Sequence, residues 1–340
     1  MDFSNLTLIS PPIIDSRWTR ADIWGAVKVR SSIGRNRYQV KPGLYKLGKP
    51  GSSSEVFVSS NYKLSFDILR RSLSGMDAWI LILQTYGVNV WCAAGKGSFG
   101  TDELIRQVKD SGLGNYVEHK RVIVPQLGAP GVSAHLVKEA TGFSVKFGPV
   151  RAEDIKDYIS AGYKKDEVTR SVQFNFKDRI LLTPVEVMNS WKYLIIAILF
   201  FGLLSGIYPG GYSFPLILKE GPGSLMFLLM AYFTGAVLTP ALLPWIPFRY
   251  FGGKGLITGL LTCGLLIVLA GVELAPMEMI AWCLISGAIS SFLAMNFTGA
   301  STFTSLSGVR KEMKLFVPVQ LSLSIMGLAL LIISKLIQHG

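Results

Sequence analysis

The stretch WILILQTYGVNVWCAAGKGSFGTDELIRQV, residues 79–108, leads from an apolar run through a cysteine-bearing loop into an amphipathic segment. The apolar run is typical of a parallel strand that is buried on both faces. After the loop, Leu104 and Val108 recur at helical spacing, and Thr101 can cap such a helix. The stretch therefore predicts one strand–helix unit of an α/β domain, with Cys92 between the strand and the helix.

The same alternation of strand and helix patterns extends over residues 55–165. Strand-like runs occur at EVFVSS, RVIVPQ and FSVKFGP, and a helical pattern follows each of them. Such alternation predicts a Rossmann-like α/β domain, a parallel sheet with flanking helices whose ligands bind beyond the carboxyl ends of the strands. Besides the loop of Cys92, those ends are residues 59–62, 126–132 and 148–152.

The composition changes near residue 191, where long apolar runs begin. Apolar runs of about 18 residues or more predict membrane-spanning helices. Five are predicted, at 191–208, 223–243, 255–272, 277–297 and 315–333, within an all-α transmembrane domain over residues 191–340. Lysine and arginine lie mainly in the loops after the second and fourth spans. This bias predicts a multi-pass protein of the cytoplasmic (inner) membrane, with the N-terminal domain in the cytoplasm and the C-terminus outside.

Two segments flank the predicted α/β domain. Residues 1–54 have no clear period and predict an irregular lead-in, whereas residues 166–190 predict a last strand and a connector. The net charge of +12 suits basic residues near anionic lipid, an anionic ligand or an acidic partner. Because no basic helix or basic–aromatic sheet motif stands out, nucleic acid is not an expected partner.

The glycines near Cys92 are compatible with several kinds of site. Gly95, Gly97 and Gly100 have the spacing of a dinucleotide-binding fingerprint, but no acidic residue ends the next strand, RVIVPQ. A P-loop fits less well, because Lys96 is followed by glycine and not by the serine or threonine that would hold magnesium. A nucleophilic cysteine would need a base, and neither histidine of this domain is singled out. On the residues alone, Cys92 is either a small core residue or a reactive thiol.

The other cysteines do not suggest a metal cluster. Cys263 and Cys283 lie in predicted spans, where small apolar packing is the expected role. The sequence contains no CxxC, so no iron–sulfur cluster is expected in this chain.

A resemblance to known proteins favours a reactive Cys92. The motif NVWCAAGK, residues 89–96, resembles the signature of the HgcA family, the corrinoid proteins of bacterial mercury methylation. SSNYKLSFDILR, VIVPQLGAPGV and GFSVKFGPVRAEDI resemble the same family in the same order, and the likeness covers about residues 55–337. More distantly, these segments resemble the corrinoid-binding domain of the corrinoid iron–sulfur protein of the acetyl-CoA pathway.

The resemblance implies a membrane-anchored methyltransferase with a cobalamin-type corrinoid, bound base-off, and with the Cys92 thiolate as lower axial ligand of cobalt. The methyl group would pass to inorganic Hg(II) and form methylmercury. The implied partners are a methyl-tetrahydrofolate-linked methyl donor and a small ferredoxin-like [4Fe–4S] protein (HgcB) that supplies electrons. Two alternatives stay open: a membrane-bound corrinoid methyl carrier of one-carbon metabolism with another acceptor, and a mercury transporter with a corrinoid domain.

The resemblance and the loop positions give a set of residues expected to contact the corrinoid. They are Ser59, Ser60, Asn61, Asn89, Val90, Trp91, Cys92, Ala93, Ala94, Gly95, Lys96, Gly128, Gly131, Gly148 and Pro149. The alanines and Gly95 are small enough to lie under a flat macrocycle, and Lys96 can favour the thiolate. Asn89 can cap or fix the segment, and Trp91 can border the corrin or belong to the core. The later glycines and Pro149 can shape the path of the nucleotide tail.

Overall fold

The computed structural model describes residues 10–271, 273–300 and 306–338. Two compact units divide the chain, Met1–Gln173 and Phe174–Gly340. The first unit is an α/β domain and the second consists of long helices. Residues 1–9 of the predicted lead-in and residue 272, which ends the third predicted span, lie outside the described residues.

A six-stranded sheet forms the centre of the first unit. The strands, in chain order, are β1 (Ile13–Ile14), β2 (Gly43–Leu47), β3 (Val56–Ser60), β4 (Ala78–Leu83), β5 (Arg121–Val124) and β6 (Ser144–Phe147). Their order in the sheet is β1–β2–β4–β3–β5–β6. Strands β4, β3, β5 and β6 are parallel to one another, whereas β2 pairs antiparallel with β4. The predicted mostly parallel α/β sheet is thus confirmed.

Helices cover both faces of this sheet. The helices of the first unit are α1 (Arg20–Arg30), α2 (Lys63–Ser72), α3 (Val90–Lys96), α4 (Thr101–Asp110), α5 (Ala134–Thr141), α6 (Ile155–Ser160) and α7 (Glu167–Arg170). Helices α2 and α6 pack against the face that contains Phe57 and Ile80. Helices α3, α4 and α5 pack against the opposite face, around Val58 and Leu81. Alternate residues of β3, β4 and β5 therefore enter two separate cores.

The prediction that residues 1–54 are irregular is wrong for the described part of that segment. It supplies β1, β2 and α1, and α1 packs against α2 through Ala26, Val29 and Leu64. Short strands need partners elsewhere in the chain, so their local pattern is too weak to reveal them.

Buried ion pairs join this lead-in to α2. The Nζ of Lys63 lies 2.5 Å from an oxygen of Asp22 and 2.6 Å from one of Asp67. Arg70 contacts the same two carboxylates, each at 2.8 Å. Burial alone would raise the pKa of Asp22, but hydrogen bonds from Lys63, Thr19 and Arg70 hold it below its ordinary value. The lead-in is therefore a built part of the domain.

The prediction of a last strand within residues 166–190 is also wrong. This segment forms α7 and then the first half of α8 (Phe176–Leu204). Asn175 caps α8, since its side chain accepts a hydrogen bond from the backbone N–H of Asp178 at 3.1 Å. Charged residues in the first turns of α8 lower the local hydropathy, which is why the apolar run begins at residue 191 although the helix begins earlier.

Among the described residues of the second unit, five helices are long and apolar enough to cross a membrane. Their extents are Phe176–Leu204, Phe214–Leu242, Phe251–Ala270, Pro276–Asn296 and Ser307–Ile337. The constituent elements after α8 are the hairpin β7 (Ile207–Tyr208) and β8 (Gly211–Tyr212), α9 (Phe214–Phe233), α10 (Thr239–Leu242), α11 (Phe251–Ala270), α12 (Pro276–Asn296) and α13 (Leu306–Gln338). The predicted set of five apolar helices is confirmed.

Candidate functional site

The sheet topology opens a crevice at the carboxyl ends of β3 and β5. After β3 the chain adds β4 on one side, and it then crosses to β5 on the other side. Ligands of doubly wound sheets bind at such a switch point. A cavity of about 310 Å³ lies there. Among the predicted site residues, its lining includes Ser59, Asn89, Val90, Trp91, Gly148 and Pro149.

Helix α3 presents Cys92 beside this crevice. The Oδ1 of Asn89 accepts a hydrogen bond from the backbone N–H of Cys92 at 2.9 Å, which confirms the predicted cap. Gly97, in the left-handed region at φ +83°, ends the helix after two turns. The cysteine itself is exposed, so the structure excludes the hypothesis of a small buried core residue.

The two faces of α3 separate the predicted site residues. Val90, Ala93 and Ala94 are buried in the core of the domain. Trp91, Cys92, Gly95 and Lys96 are exposed on the opposite face. The small size of the alanines thus allows α3 to pack closely on the domain, and the exposed residues are the ones that a ligand can reach.

Asn61 fixes the loop that leads into α3. It is 1% exposed, and its Oδ1 accepts hydrogen bonds from the backbone N–H groups of Thr85 and Gly87, at 3.2 and 2.9 Å. Its Nδ2 donates to the Oε1 of Gln84 at 2.6 Å. Asn61 therefore positions Cys92 through the loop and has little hydrogen-bonding capacity left for a ligand. Gln84 and Thr85, which are polar residues directly after the apolar run of β4, are not among the predicted site residues.

The two serines at the end of β3 differ in whether they reach the crevice. Ser59 lines the crevice. Ser60 is fully buried, and within the part of the chain that the structure describes its Oγ has no hydrogen-bond partner. Buried polar atoms are usually paired. Ser60 does not line the crevice, so of the two serines Ser59 is the one that a bound molecule can reach.

The predicted glycines fall into two groups. A Cβ on Gly131 would lie 2.2 Å from the carbonyl oxygen of Phe99, and one on Gly128 would lie 2.5 Å from its ring. These two glycines are required by packing inside the protein. A Cβ on Gly95, by contrast, would meet nothing within 4 Å. Gly95 follows Cys92 by one helical turn, so it leaves open space on the face that carries the thiol. Gly148 lines the crevice directly.

Lys165, the last residue of the predicted α/β domain, also reaches this end of the sheet. The Nζ of Lys165 donates to the carbonyl oxygen of Gly148 at 3.1 Å and also contacts the side chain of Gln126. Burial, together with the positive charge of Arg170, lowers the pKa of Lys165. Nothing in the local pattern of residues 163–166 points to this position, because it depends on how the chain returns after α6.

The helical unit contains more charge than its hydropathy indicates. Lys335 forms an ion pair with Glu220 inside the unit. A separate cavity of about 810 Å³ lies among α8, α9, α12 and α13. Its walls are mainly apolar, with Glu186, Asn296 and Gln320 among the polar residues.

The described residues do not form a complete metal site. No group of three or more His, Cys, Asp and Glu residues is close enough to hold an ion in residues 10–271, 273–300 and 306–338. Cys92 can therefore contribute one ligand to a metal whose other ligands come from a bound group.

The α/β unit thus combines a switch-point crevice with a capped, exposed thiol, and the second unit consists of long apolar helices. Residues 30–159 match the family of the CO dehydrogenase/acetyl-CoA synthase delta subunit. This range contains the crevice, α3 and the Asn61 contacts, and it ends before the helical unit.

Several similar proteins are gamma subunits of one kind of complex. The gamma subunit of the acetyl-CoA decarbonylase/synthase complex of Archaeoglobus fulgidus is 27% identical over 135 residues, which are 39% of this chain and 28% of that subunit. The gamma subunit of Methanopyrus kandleri is 26% identical over 127 residues, 37% of this chain and 27% of that subunit. That of Methanocaldococcus jannaschii is 24% identical over 152 residues, 42% of this chain and 31% of that subunit. The chain thus spans less than a third of the length of these relatives.

These matches confirm the coarser part of the resemblance, the likeness to proteins of the acetyl-CoA pathway. The likeness to the HgcA family, which depends on NVWCAAGK and the helical unit, stays a prediction.

Proposed function

We propose that this chain binds a corrinoid at the switch-point crevice and takes part in methyl transfer. The observation that carries the proposal is the exposed thiol of Cys92, held beside the crevice by a capped helix. The family match supports it, because the matched residues include the whole crevice.

The residues at the crevice fit a large, flat group that carries its own metal. Gly95 leaves open space beside Cys92. Among the described residues, no group of three or more His, Cys, Asp and Glu residues forms a complete metal site, so the one exposed thiol suits a metal that brings its other ligands with it. When bound, a corrinoid would supply the cobalt centre at which a methyl group is accepted and released.

The protein's own residues would orient and hold that group. Cys92 would serve as the lower axial ligand of cobalt, with the corrinoid base-off, because a thiolate is a strong, soft donor. Asn89 and Asn61 would keep the thiol in position, since together they fix both ends of the loop between β4 and α3. Ser59, Gly148 and Pro149 would border the bound group on the other side of the crevice. Lys165, at the same edge, would favour an anionic portion such as a phosphate of the nucleotide tail.

We further propose that the methyl acceptor is inorganic Hg(II), so that the product is methylmercury. Support comes from the motif at residues 89–96 and from the pairing of this domain with apolar helices.

The chain has no CxxC, so electrons would come from a ferredoxin-like [4Fe–4S] protein (HgcB), and the methyl group from a methyl-tetrahydrofolate-linked donor. The relatives are subunits of a complex, which agrees with a need for partners. The five apolar helices would anchor the chain in the cytoplasmic membrane, with the first unit in the cytoplasm.

The test is methyl transfer by full-length protein loaded with methylcorrinoid and mixed with Hg(II), with methylmercury measured by mass spectrometry. Cys92→Ala should lower the rate by a factor of about 100 or more, as expected when one strong transition-state interaction is removed. Its absorption spectrum should also lose the band of the thiolate-bound cobalt. Leu136→Ala, an exposed apolar change on α5, is the matched control. Equal rates for wild type and Cys92→Ala would contradict the thiolate assignment.

The same preparation separates the alternatives. A carrier with another acceptor would bind corrinoid through Cys92 and yield no methylmercury. A mercury transporter would move Hg(II) into proteoliposomes at the same rate in wild type and in Cys92→Ala.

A further inference from the structure

The helices α11 and α12 pack closely enough to bring their backbones into contact. A Cβ on Gly255 would lie 2.4 Å from the carbonyl oxygen of Ser290, and one on Gly259 would lie 2.7 Å from that of Ser286. As the residue number rises along α11, the partner's number falls along α12, so the two helices are antiparallel.

This register places two cysteines opposite each other. Cys263 lies one turn beyond Gly259, and Cys283 lies one turn before Ser286. Both are free thiols, and both belong to one core of the helical unit. Cys263 is fully buried, and Cys283 packs against the same core.

The surroundings of the pair are apolar and rich in sulfur. Phe227, Trp282 and Leu331 belong to this core, and Met226 and Met230 pack against it. Among the described residues, no group of three or more His, Cys, Asp and Glu residues includes this pair. The site thus offers two soft ligands and no countercharge.

We propose that Cys263 and Cys283 bind one Hg(II) ion between them inside the helical unit. This inference rests on the proposed function in that it concerns the same acceptor, and it assigns a place where the chain holds that ion. Binding breaks two S–H bonds, forms two Hg–S bonds and releases two protons, with no change in oxidation state. The product is a neutral bis-thiolate.

Neutrality decides which cation the pair accepts. A monovalent soft ion such as Cu(I) or Ag(I) would leave one negative charge in apolar surroundings, and an unpaired buried charge is costly. Zn²⁺ is bound in proteins by three or four ligands, and no third His, Cys, Asp or Glu ligand accompanies the pair among the described residues. A soft divalent ion that accepts two thiolates satisfies both the charge and the ligand number.

The test uses the full chain in lipid nanodiscs, free of corrinoid and carrying Cys92→Ala to remove the exposed thiol. Mercuric chloride is added with excess glutathione as competitor, and retained mercury is counted per chain. We expect one ion per chain with two sulfur ligands by X-ray absorption. Cys263→Ser and Cys283→Ser should each reduce retention at least tenfold, whereas Leu265→Ala, an exposed change on α11, should leave it unchanged.

A second measurement does not depend on whether the serine variants fold, because it uses a protein that keeps both Cys263 and Cys283. In the Cys92→Ala protein, mercury bound before denaturation should protect both remaining thiols from maleimide, as read by mass spectrometry. Labelling of both thiols, retention that neither serine substitution lowers, or three or more sulfur ligands would overturn the inference. Because the readout is retention and not methylation, its failure leaves the proposed function standing. Retention at the pair without methylmercury formation by the wild-type protein would remove the proposed function instead.

Discussion

The two units of this protein place their cysteines in opposite environments. In the α/β unit, Cys92 is exposed and is held in position by polar contacts from Asn89 and Asn61. In the helical unit, Cys263 is buried by close helix packing, with Cys283 beside it. The comparison shows that the same side chain can be made available by hydrogen bonds or enclosed by apolar contacts, and that the sequence around it does not reveal which.

The largest expected difference between the units is in thiol reactivity. In the folded protein, iodoacetamide should modify Cys92 about 1,000-fold faster than Cys263, because a buried thiol reacts only after local opening. Mass spectrometry of peptides from timed samples measures both rates in one experiment. Equal rates at the two sites would remove the contrast on which the comparison depends.

A second difference lies in how each thiol is positioned. Asn61→Ala should lower the free energy of unfolding of the α/β unit by about 2–4 kcal/mol, because the backbone N–H groups of Thr85 and Gly87 lose their buried acceptor. Asn61→Asp keeps an acceptor for both groups and should cost less. Urea unfolding followed by circular dichroism measures the change. An unchanged midpoint for Asn61→Ala would mean that the loop before α3 is held by other contacts.

The two groups of glycines test whether α3 carries a binding face. Gly131→Ala should destabilise the α/β unit by about 1–3 kcal/mol, as expected for overpacking, since the new Cβ would clash with Phe99. Gly95→Ala should leave stability unchanged or raise it by up to ~1 kcal/mol, because alanine favours a helix.

Corrinoid binding by the Gly95→Ala variant tests whether the face of α3 that carries Cys92 is a binding face. Gly95→Ala should weaken it, although the protein is at least as stable, because the methyl group enters the space beside Cys92. Titration of the apoprotein with a corrinoid, followed by absorbance, gives the affinity. Unchanged affinity would place the corrinoid away from this face.

The smallest expected effect is the response to acid. The folded-state pKa of Asp22 lies below its ordinary value of 3.8, so its contribution to stability is present above that value. The contribution is lost as the pH falls from there toward the lowered folded-state pKa. Between pH 5 and pH 3 the α/β unit should lose ~1 kcal/mol through this group. Asp22→Asn should remove that portion of the pH dependence in urea titrations, and an identical acid response in the variant would contradict it.

Much of the fold follows from local pattern. The strand–helix alternation and the five apolar runs predict the parallel sheet and the long helices, because periodicity and hydropathy are properties of short segments. The lead-in could not be predicted in this way, since its attachment depends on contacts such as that between Asp22 and Lys63, which lie far apart in sequence. The start of α8 was obscured because its first turns are charged.

The site was predictable in location but not in the roles of its residues. A polar residue at a strand end, such as Asn61, can bind a ligand or fix a loop, and the choice depends on which N–H groups the fold brings near it. Gly95 and Gly131 look equivalent in sequence. They differ because one faces open space and the other faces Phe99.

The antiparallel strand β2 has a practical consequence for isolating this domain. It covers the outer edge of β4, whose six residues are all buried. A fragment that began at residue 55, where the strand–helix pattern starts, would leave that edge unpaired, and unpaired apolar edges promote aggregation and strand exchange between chains. A soluble fragment for structural work should therefore begin no later than residue 10, so that β1, α1 and β2 remain with the sheet that they complete.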